Sequence, residues 1–313
     1  MKNLIKIKGD ASFREFYRKK NKNFSSILVF ANKEKIKNLL VYDAINKVLI
    51  KNKILAPELH QENYNKNYIE IRDFGNDTIY KILVKKKGNR LIYFKKIIKI
   101  LNKIQKIKNR VIKNFKQKNF IIPKYNEEIL LKEANLFCDW YLKKNLSKNN
   151  RVKFVKRYKK ITRKLSSSLK LKNNTFVHRD FHVSNLMLVN NQIGIIDSQD
   201  ALIGNKAYDL ASLLDDVRLK TSKSFKNKIY KLYINTQVKL DKQKFKNDFE
   251  ILSILRNLKI IGIFSRLAIR DGKKNYLKFI PYAWTLINMR INENKLFTDL
   301  KKLLSQNFRG KIK

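Results

Sequence analysis

One cysteine in 313 residues, Cys138, leaves no possibility of an internal disulfide. A chain so poor in thiols suits a reducing compartment, and a cytoplasmic protein is expected. Long apolar runs are missing too. None approaches the length that crosses a bilayer, so no membrane insertion is expected. The opening residues Met1-Lys2-Asn3-Leu4-Ile5-Lys6-Ile7-Lys8 lack the apolar core of a secretory leader. Glycine is scarce, eight residues in all, and proline scarcer, with three. The chain accordingly has neither a full G-x-G-x-x-G fingerprint nor a Walker loop. Acidic residues are few, 25 against 72 Lys and Arg, for a net charge of +47.

That charge invites a nucleic-acid reading. The lysines, however, run through every segment rather than gathering in one tail. Arginines and aromatics do not interleave as in a known RNA or DNA module. Abundant Lys, Asn and Ile with little Gly, Pro and Ala is what AT-rich codons produce. A solvated basic surface is therefore expected, with no specific nucleic-acid partner, and with some attraction for anionic substrates. Hydrophobic residues make up 43% of the chain, as in a folded protein with an ample core.

What is present is concentrated in one stretch: His178-Arg179-Asp180-Phe181-His182-Val183-Ser184-Asn185, then Gly194-Ile195-Ile196-Asp197. The spacing H-R-D-x-x-x-x-N is that of a kinase catalytic loop. Phosphoryl transfer needs a carboxylate to orient the attacking hydroxyl and oxygen ligands to hold Mg²⁺ on the nucleotide phosphates. Asp180 fits the first role, and Asn185 and Asp197 the second. The flanks predict a strand at Thr175-Phe176-Val177, a strand at Leu186–Val189, a polar turn at 190–192 and a strand from Ile193 to Ile196. Two strand ends would then bring Asn185 and Asp197 to one cation. One Asn and one Asp suffice for Mg²⁺, which keeps water and phosphate oxygens.

Elsewhere, residues 4–32 alternate as strands do, with Phe24–Ala31 the clearest. Residues 33–53 have helical spacing up to Pro57, and 58–72 read as two strands around Asn65-Lys66-Asn67. From 76 the pattern is helical to about 172, and helical again from Asp209. Strands are expected in two places only. The fold class expected is α+β, bilobal and protein-kinase-like: a small β-rich lobe over 1–75 for the nucleotide, and a helical lobe over 76–313 with the catalytic loop and acceptor site.

Gly9-Asp10-Ala11-Ser12-Phe13-Arg14 is a candidate phosphate loop, with Gly9, Ser12 and Arg14 toward the nucleotide. Asp73-Phe74-Gly75 spells the kinase metal triplet, but it precedes the catalytic loop by about a hundred residues, whereas the metal Asp must follow it. It is read as the hinge, where the backbone near Glu70 and Ile71 would pair with adenine. His182 either touches phosphate or substrate or packs within its loop. Asp200 either holds the loop or assists at the metal or acceptor. Asp209 is read as opening a helix.

Together these segments resemble the aminoglycoside phosphotransferase/choline kinase superfamily, and within it the bacterial anomeric kinases of N-acetylmuramate and N-acetylglucosamine. Gly9 to Arg14 looks like that branch's G-D-A-S-x-R. Glu133-Ala134-Asn135-Leu136-Phe137-Cys138-Asp139-Trp140-Tyr141 looks like its E-x-x-L-F-x-x-W-Y helix. His178 to Asp209 and Lys259 to Leu277 resemble its catalytic region and C-terminal helices. The resemblance implies ATP with Mg²⁺, and transfer of the γ-phosphate to the anomeric hydroxyl of an amino sugar; a monomer is expected. It places Glu133 and Trp140 at the sugar. Rival acceptors are an aminoglycoside, choline, ethanolamine or a homoserine-like alcohol, and a non-catalytic anionic-polymer binder on a kinase fold is the rival class. One departure stands out. The third strand, Ile27–Asn32, carries no phosphate-binding lysine, so Arg14 or Arg18 is expected to substitute.

Overall fold

A computed structural model of the chain describes residues 4–7, 13–20, 24–85 and 90–312. Gly9 and Ser12 of the expected phosphate loop lie outside the described residues. In chain order the first half runs β1 (Leu4–Ile7), β2 (Glu15–Lys20), β3 (Ser25–Phe30), α1 (Lys37–Lys51), β4 (Leu59–Asn63), β5 (Tyr68–Arg72), α2 (Ile79–Lys85), α3 (Arg90–Gln105), β6 (Val111–Lys113) and β7 (Asn119–Ile121). It continues with α4 (Glu127–Leu136), a π-helical turn (Phe137–Tyr141), α5 (Leu142–Asn145), α6 (Lys148–Ser167), β8 (Asn173–Val177), β9 (Leu186–Val189), β10 (Gln192–Ile195) and β11 (Leu202–Asn205). Helices α7 (Tyr208–Leu214), α8 (Lys223–Asn235), α9 (Lys242–Arg270), α10 (Ile280–Ile291) and α11 (Thr298–Asn307) complete the chain. The α+β class read from the sequence is what is found.

Two compact units result, residues 1–123 with 175–203, and residues 124–174 with 204–313. In the first, five antiparallel strands lie in the order β1-β2-β3-β5-β4. Alternation explains the side the core takes: Ile27, Val29 and Ala31 of the β3 segment, with Ile69 and Ile71 of β5, meet Leu39 and Tyr42 of α1. Helix α1 buries Ile45, Val48 and Leu49 along the same stripe.

Strands β9 and β10 form a hairpin in the register Leu186↔Ile195 to Val189↔Gln192. Its two-residue loop is Asn190-Asn191, with φ of 47° and 61°. Both residues are left-handed, as a type I′ turn requires, and Asn tolerates that region better than most side chains. Lys96 of α3 holds the loop through the Asn191 carbonyl at 3.1 Å. At Gly194 a Cβ would stand 2.8 Å from the Phe74 ring, so the glycine makes room for that ring. This is what Phe74 of the Asp73-Phe74-Gly75 triplet does. Asp73 itself is clamped by Arg18 at 2.5 and 3.0 Å and by Ser25 at 2.8 Å.

In the second unit α9 is the central element, buried along most of its length. Asp241 caps it, accepting from the backbone N–H groups of Gln243 and Lys244. Phe137, Tyr141, Phe154, Tyr158, Trp284 and Phe308 stack in one aromatic cluster with centroid separations of 5.2 to 6.1 Å.

The expectation of strands in two places only is corrected. The hairpin β6–β7 and the strand β11 were not foreseen.

Candidate active site

The catalytic segment folds as its spacing predicts. After β8 the chain turns through Arg179, whose φ is 71°, and a short 3₁₀ turn at Val183–Asn185 delivers Asn185 to the start of β9. The loop closes on itself: the Asn185 backbone N–H donates to the His182 carbonyl at 2.9 Å, and that of His182 to the Asp180 carbonyl at 3.0 Å. The Asn185 side-chain amide donates to the same Asp180 carbonyl at 3.0 Å. From the other side, the Ile196 N–H donates to the Asn185 carbonyl at 3.0 Å. The loop and the strand before Asp197 are thereby tied together. His178 is fully buried beside the Ile196 backbone. Burial holds its imidazole below the usual pKa, which keeps it neutral as a structural pin.

Asp197 sits with φ of 61°, outside the regions ordinary residues favour. Such strain collects at functional positions because the surroundings over-determine it. Its carboxyl pKa is raised, first by burial, then by the charges of Asp180 and Asp200, while Arg14 opposes the rise. The side chain nevertheless remains 39% exposed. A carboxylate set deep in the fold, repelled by two others and open on one side, is a place where a cation lowers the energy. Arg14 Nη2 meets Asp197 Oδ1 at 2.7 Å. Its guanidinium lies 5.4 Å from the Tyr42 ring centre and 5.7 Å from that of Phe16, so the cation is fixed by packing.

Of the two arginines expected to substitute for the third-strand lysine, Arg14 reaches the site. Arg18 is committed to Asp73, to Asn76 at 2.7 Å and to the Gly75 carbonyl at 2.9 Å. The adenine hinge at Glu70 and Ile71 is corrected. Both lie within β5, paired to β3 on one side and β4 on the other, so their backbone is used by the sheet. The Glu70 carboxylate accepts from Ser26 at 2.5 Å and from Lys19 at 3.1 Å. His182 is 4% exposed, which favours its packed-loop reading. Asp200 is exposed and accepts from the Gln199 amide at 2.9 Å, while Arg179 donates to its carbonyl at 3.1 Å. Asp209 stands in the first turn of α7, buried.

The donor set fits Mg²⁺. The Asn185 amide nitrogen is spent on the Asp180 carbonyl, so its oxygen is the ligand it can offer; Arg14 takes Asp197 Oδ1, and 39% of the Asp197 side chain is exposed. Two hard oxygens from one amide and one carboxylate suit an ion that retains water and phosphate ligands.

Glu133 and Trp140 belong to the second unit. Glu133 is buried on α4 and accepts from the Tyr125 hydroxyl and from Lys259 Nζ at 2.9 Å. Lys259 also reaches the Tyr208 hydroxyl at 3.4 Å. The partners Tyr125, Tyr208 and Lys259 were not assigned from sequence, since they come from three separated segments. Trp140 is half-buried on the π-helical turn, with Lys143 Nζ 5.0 Å from its ring centre. π-Helical turns often mark functional sites.

A family model described as "Phosphotransferase enzyme family" matches residues 3–237. The chain belongs to that family. It is similar over 278 residues, at 27% identity, to an N-acetylmuramate/N-acetylglucosamine kinase of Neisseria meningitidis serogroup B, with 87% of this chain and 80% of that protein covered. A protein of the same name from Pseudomonas aeruginosa is 26% identical over 308 residues, covering 96% and 88%. Among solved structures, a choline/ethanolamine kinase family protein from Mesorhizobium loti has a TM-score of 0.63 at 12% identity, covering 97% of this chain and 92% of that one. A spectinomycin phosphotransferase in complex with ADP and spectinomycin has a TM-score of 0.61 at 14% identity, covering 92% of each. The family and its kinase relatives make this chain an ATP-dependent small-molecule kinase.

Proposed function

We propose that the chain phosphorylates the anomeric hydroxyl of an N-acetylated amino sugar, using ATP with Mg²⁺, as a cytoplasmic monomer serving cell-wall recycling. The names of its curated relatives support the acceptor. The observation that carries the chemistry is the convergence of the Asp180 loop on the strand before Asp197, joined by the Ile196-to-Asn185 hydrogen bond at 3.0 Å. Asp180 orients the acceptor hydroxyl and holds its departing proton. Asn185 and Asp197 hold Mg²⁺, which when bound neutralises charge on the transferred phosphoryl group. Arg14 keeps the Asp197 carboxylate ionised and fixed. Glu133, oriented by Lys259 and Tyr125, accepts hydrogen bonds from sugar hydroxyls, and Trp140 offers an aromatic face to the ring. Residues 1–75 serve as the nucleotide lobe and 76–313 as the lobe for the acceptor. Most of the acceleration then comes from positioning and preorganised charge.

The test is ADP release from ATP and Mg²⁺ with N-acetylmuramate, N-acetylglucosamine, choline and an aminoglycoside offered separately. Turnover with the amino sugars alone is expected, lowered about 10²-fold or more by Asp180→Asn with the fold retained. Turnover with choline or the aminoglycoside instead would replace the acceptor, and undiminished turnover in the variant would remove Asp180 from its role.

A further inference from the structure

Helices α4 and α6, both in the second unit, leave a groove between them of about 560 Å³. That volume is within the range of small-molecule sites. Lys132, Lys159 and Arg163 line it together with Glu128, Asp139 and Asn135. None of the phosphoryl-transfer residues is among them. At 3.6 residues per turn, Glu128, Lys132 and Asn135 point away from the side of α4 that carries Glu133.

Two hydrogen bonds give the order of charges along the groove. Ser167 of α6 donates to the Glu127 carboxylate at 3.3 Å, and the Tyr158 hydroxyl to the Ala134 carbonyl at 2.9 Å. The helices are therefore antiparallel. Arg163 falls level with the turn after Glu127, and Lys159 just before Asn135. The three cations hold the middle. Glu128 and Asp139 close the two ends, eleven positions or roughly 16 Å apart.

These five charged side chains are exposed, and among the described residues none of them makes an ion pair or a hydrogen bond. The Asn135 amide makes no hydrogen bond either, and its Oδ1 is buried. A buried oxygen without a donor is costly, and such atoms are nearly always satisfied in the working state of a protein. Helix α6 carries nine Lys and Arg and no acid over its 20 residues, so the middle of the groove lies in a positive field.

We propose that the α4–α6 groove is a second ligand site, for a diphosphate flanked on both sides by hydroxyl-bearing rings, the chemistry of a nucleoside diphosphate sugar. Lys132, Lys159 and Arg163 donate to the phosphate oxygens. Ring hydroxyls at the two ends donate to Glu128 and Asp139, and one more satisfies Asn135. The same two carboxylates repel a bare polyphosphate, and a phosphate monoester reaches only one of them. Binding here is independent of which acceptor the kinase uses.

Equilibrium dialysis with radiolabelled UDP-glucose tests this on the full chain, with saturating ADP and Mg²⁺ filling the nucleotide site. Saturable binding with a Kd between micromolar and millimolar is expected. Lys159→Gln with Arg163→Gln should weaken it about tenfold or more, and Glu128→Gln with Asp139→Asn about threefold to tenfold. Inorganic pyrophosphate, read by competition, should bind at least about tenfold more weakly than UDP-glucose. All four substituted side chains are exposed, so the circular dichroism of both variants should match the wild type and their kinase turnover should stay within about twofold. No saturable binding up to millimolar UDP-glucose overturns the site. Unchanged affinity in the Lys159 and Arg163 variant puts the binding elsewhere and also overturns it. Pyrophosphate binding as tightly as UDP-glucose would reduce the groove to a basic surface and overturn the ligand class.

Discussion

Asp215 has no exposure to solvent, yet it is ionised by design of its surroundings. Arg290 donates to it at 3.0 and 3.3 Å, Ser253 at 2.5 Å, and Lys226 lies 3.4 Å away. Burial alone would raise its pKa, but the Arg290 and Lys226 charges outweigh burial and hold it below the usual carboxylate range. A carboxyl depressed in the fold stabilises above its unfolded pKa of about 3.9, and that contribution disappears as pH falls through the folded value. Asp215→Asn leaves two buried cations short of charge, which should cost about 3–5 kcal/mol near neutrality. Urea midpoints from pH 8 downward should show a constant gap between wild type and variant to about pH 4, closing below it. A gap of the same size at pH 2 would sink the account. None of this network was legible in the sequence, because its members lie just past the end of α7 and on α8, α9 and α10. The same holds for Arg14 and Asp197, 183 positions apart. Asp180, Asn185 and Asp197 were legible because one continuous loop and hairpin carries them, so spacing alone encodes their placement.

Gly262 shows how one missing side chain sets the packing of two helices. An added methyl would meet Leu136 and Phe137 backbone atoms at 2.3 to 2.5 Å, and backbone within a packed helix cannot step aside as a flexible side chain does. Gly262→Ala gains helix propensity, worth about 1 kcal/mol. Overpacking, usually about 1–3 kcal/mol, should prevail here at or beyond its upper limit. The variant should therefore unfold at lower urea than the wild type and lose the alignment of Lys259 with Glu133, raising KM for the acceptor. A midpoint equal to or above the wild type would show that α4 and α9 separate freely. The hairpin β9–β10 was legible to within a residue: the turn was read over 190–192 and the second strand from Ile193, whereas Gln192 already pairs with Val189 at the start of β10. Strands β6 and β7, three residues each, and β11, four residues, are too short for alternation to register against the helical pattern around them. The hinge at Glu70 and Ile71 was misplaced because a strand's sequence does not tell whether one or both of its edges will be paired.

With 72 basic and 25 acidic residues, cations outnumber anions by 47. Compaction brings these like charges nearer than they stand in the unfolded chain, so the native state carries the larger repulsion. Salt shortens the reach of that repulsion, from about 10 Å at 0.1 M to about 3 Å at 1 M. Some opposing loss comes from exposed pairs such as Lys6–Glu15 and Lys244–Asp241, which salt weakens, but such pairs contribute little. The ion pair at Asp215 is shielded from bulk ions on both sides, and the one at Asp197 on the Arg14 side. The balance favours screening, so the melting temperature should rise steadily with sodium chloride between about 0.02 and 0.5 M. Scanning calorimetry without nucleotide checks it. A falling melting temperature would mean that attractive surface pairs outweigh the net charge, and that the lysines are arranged rather than merely abundant.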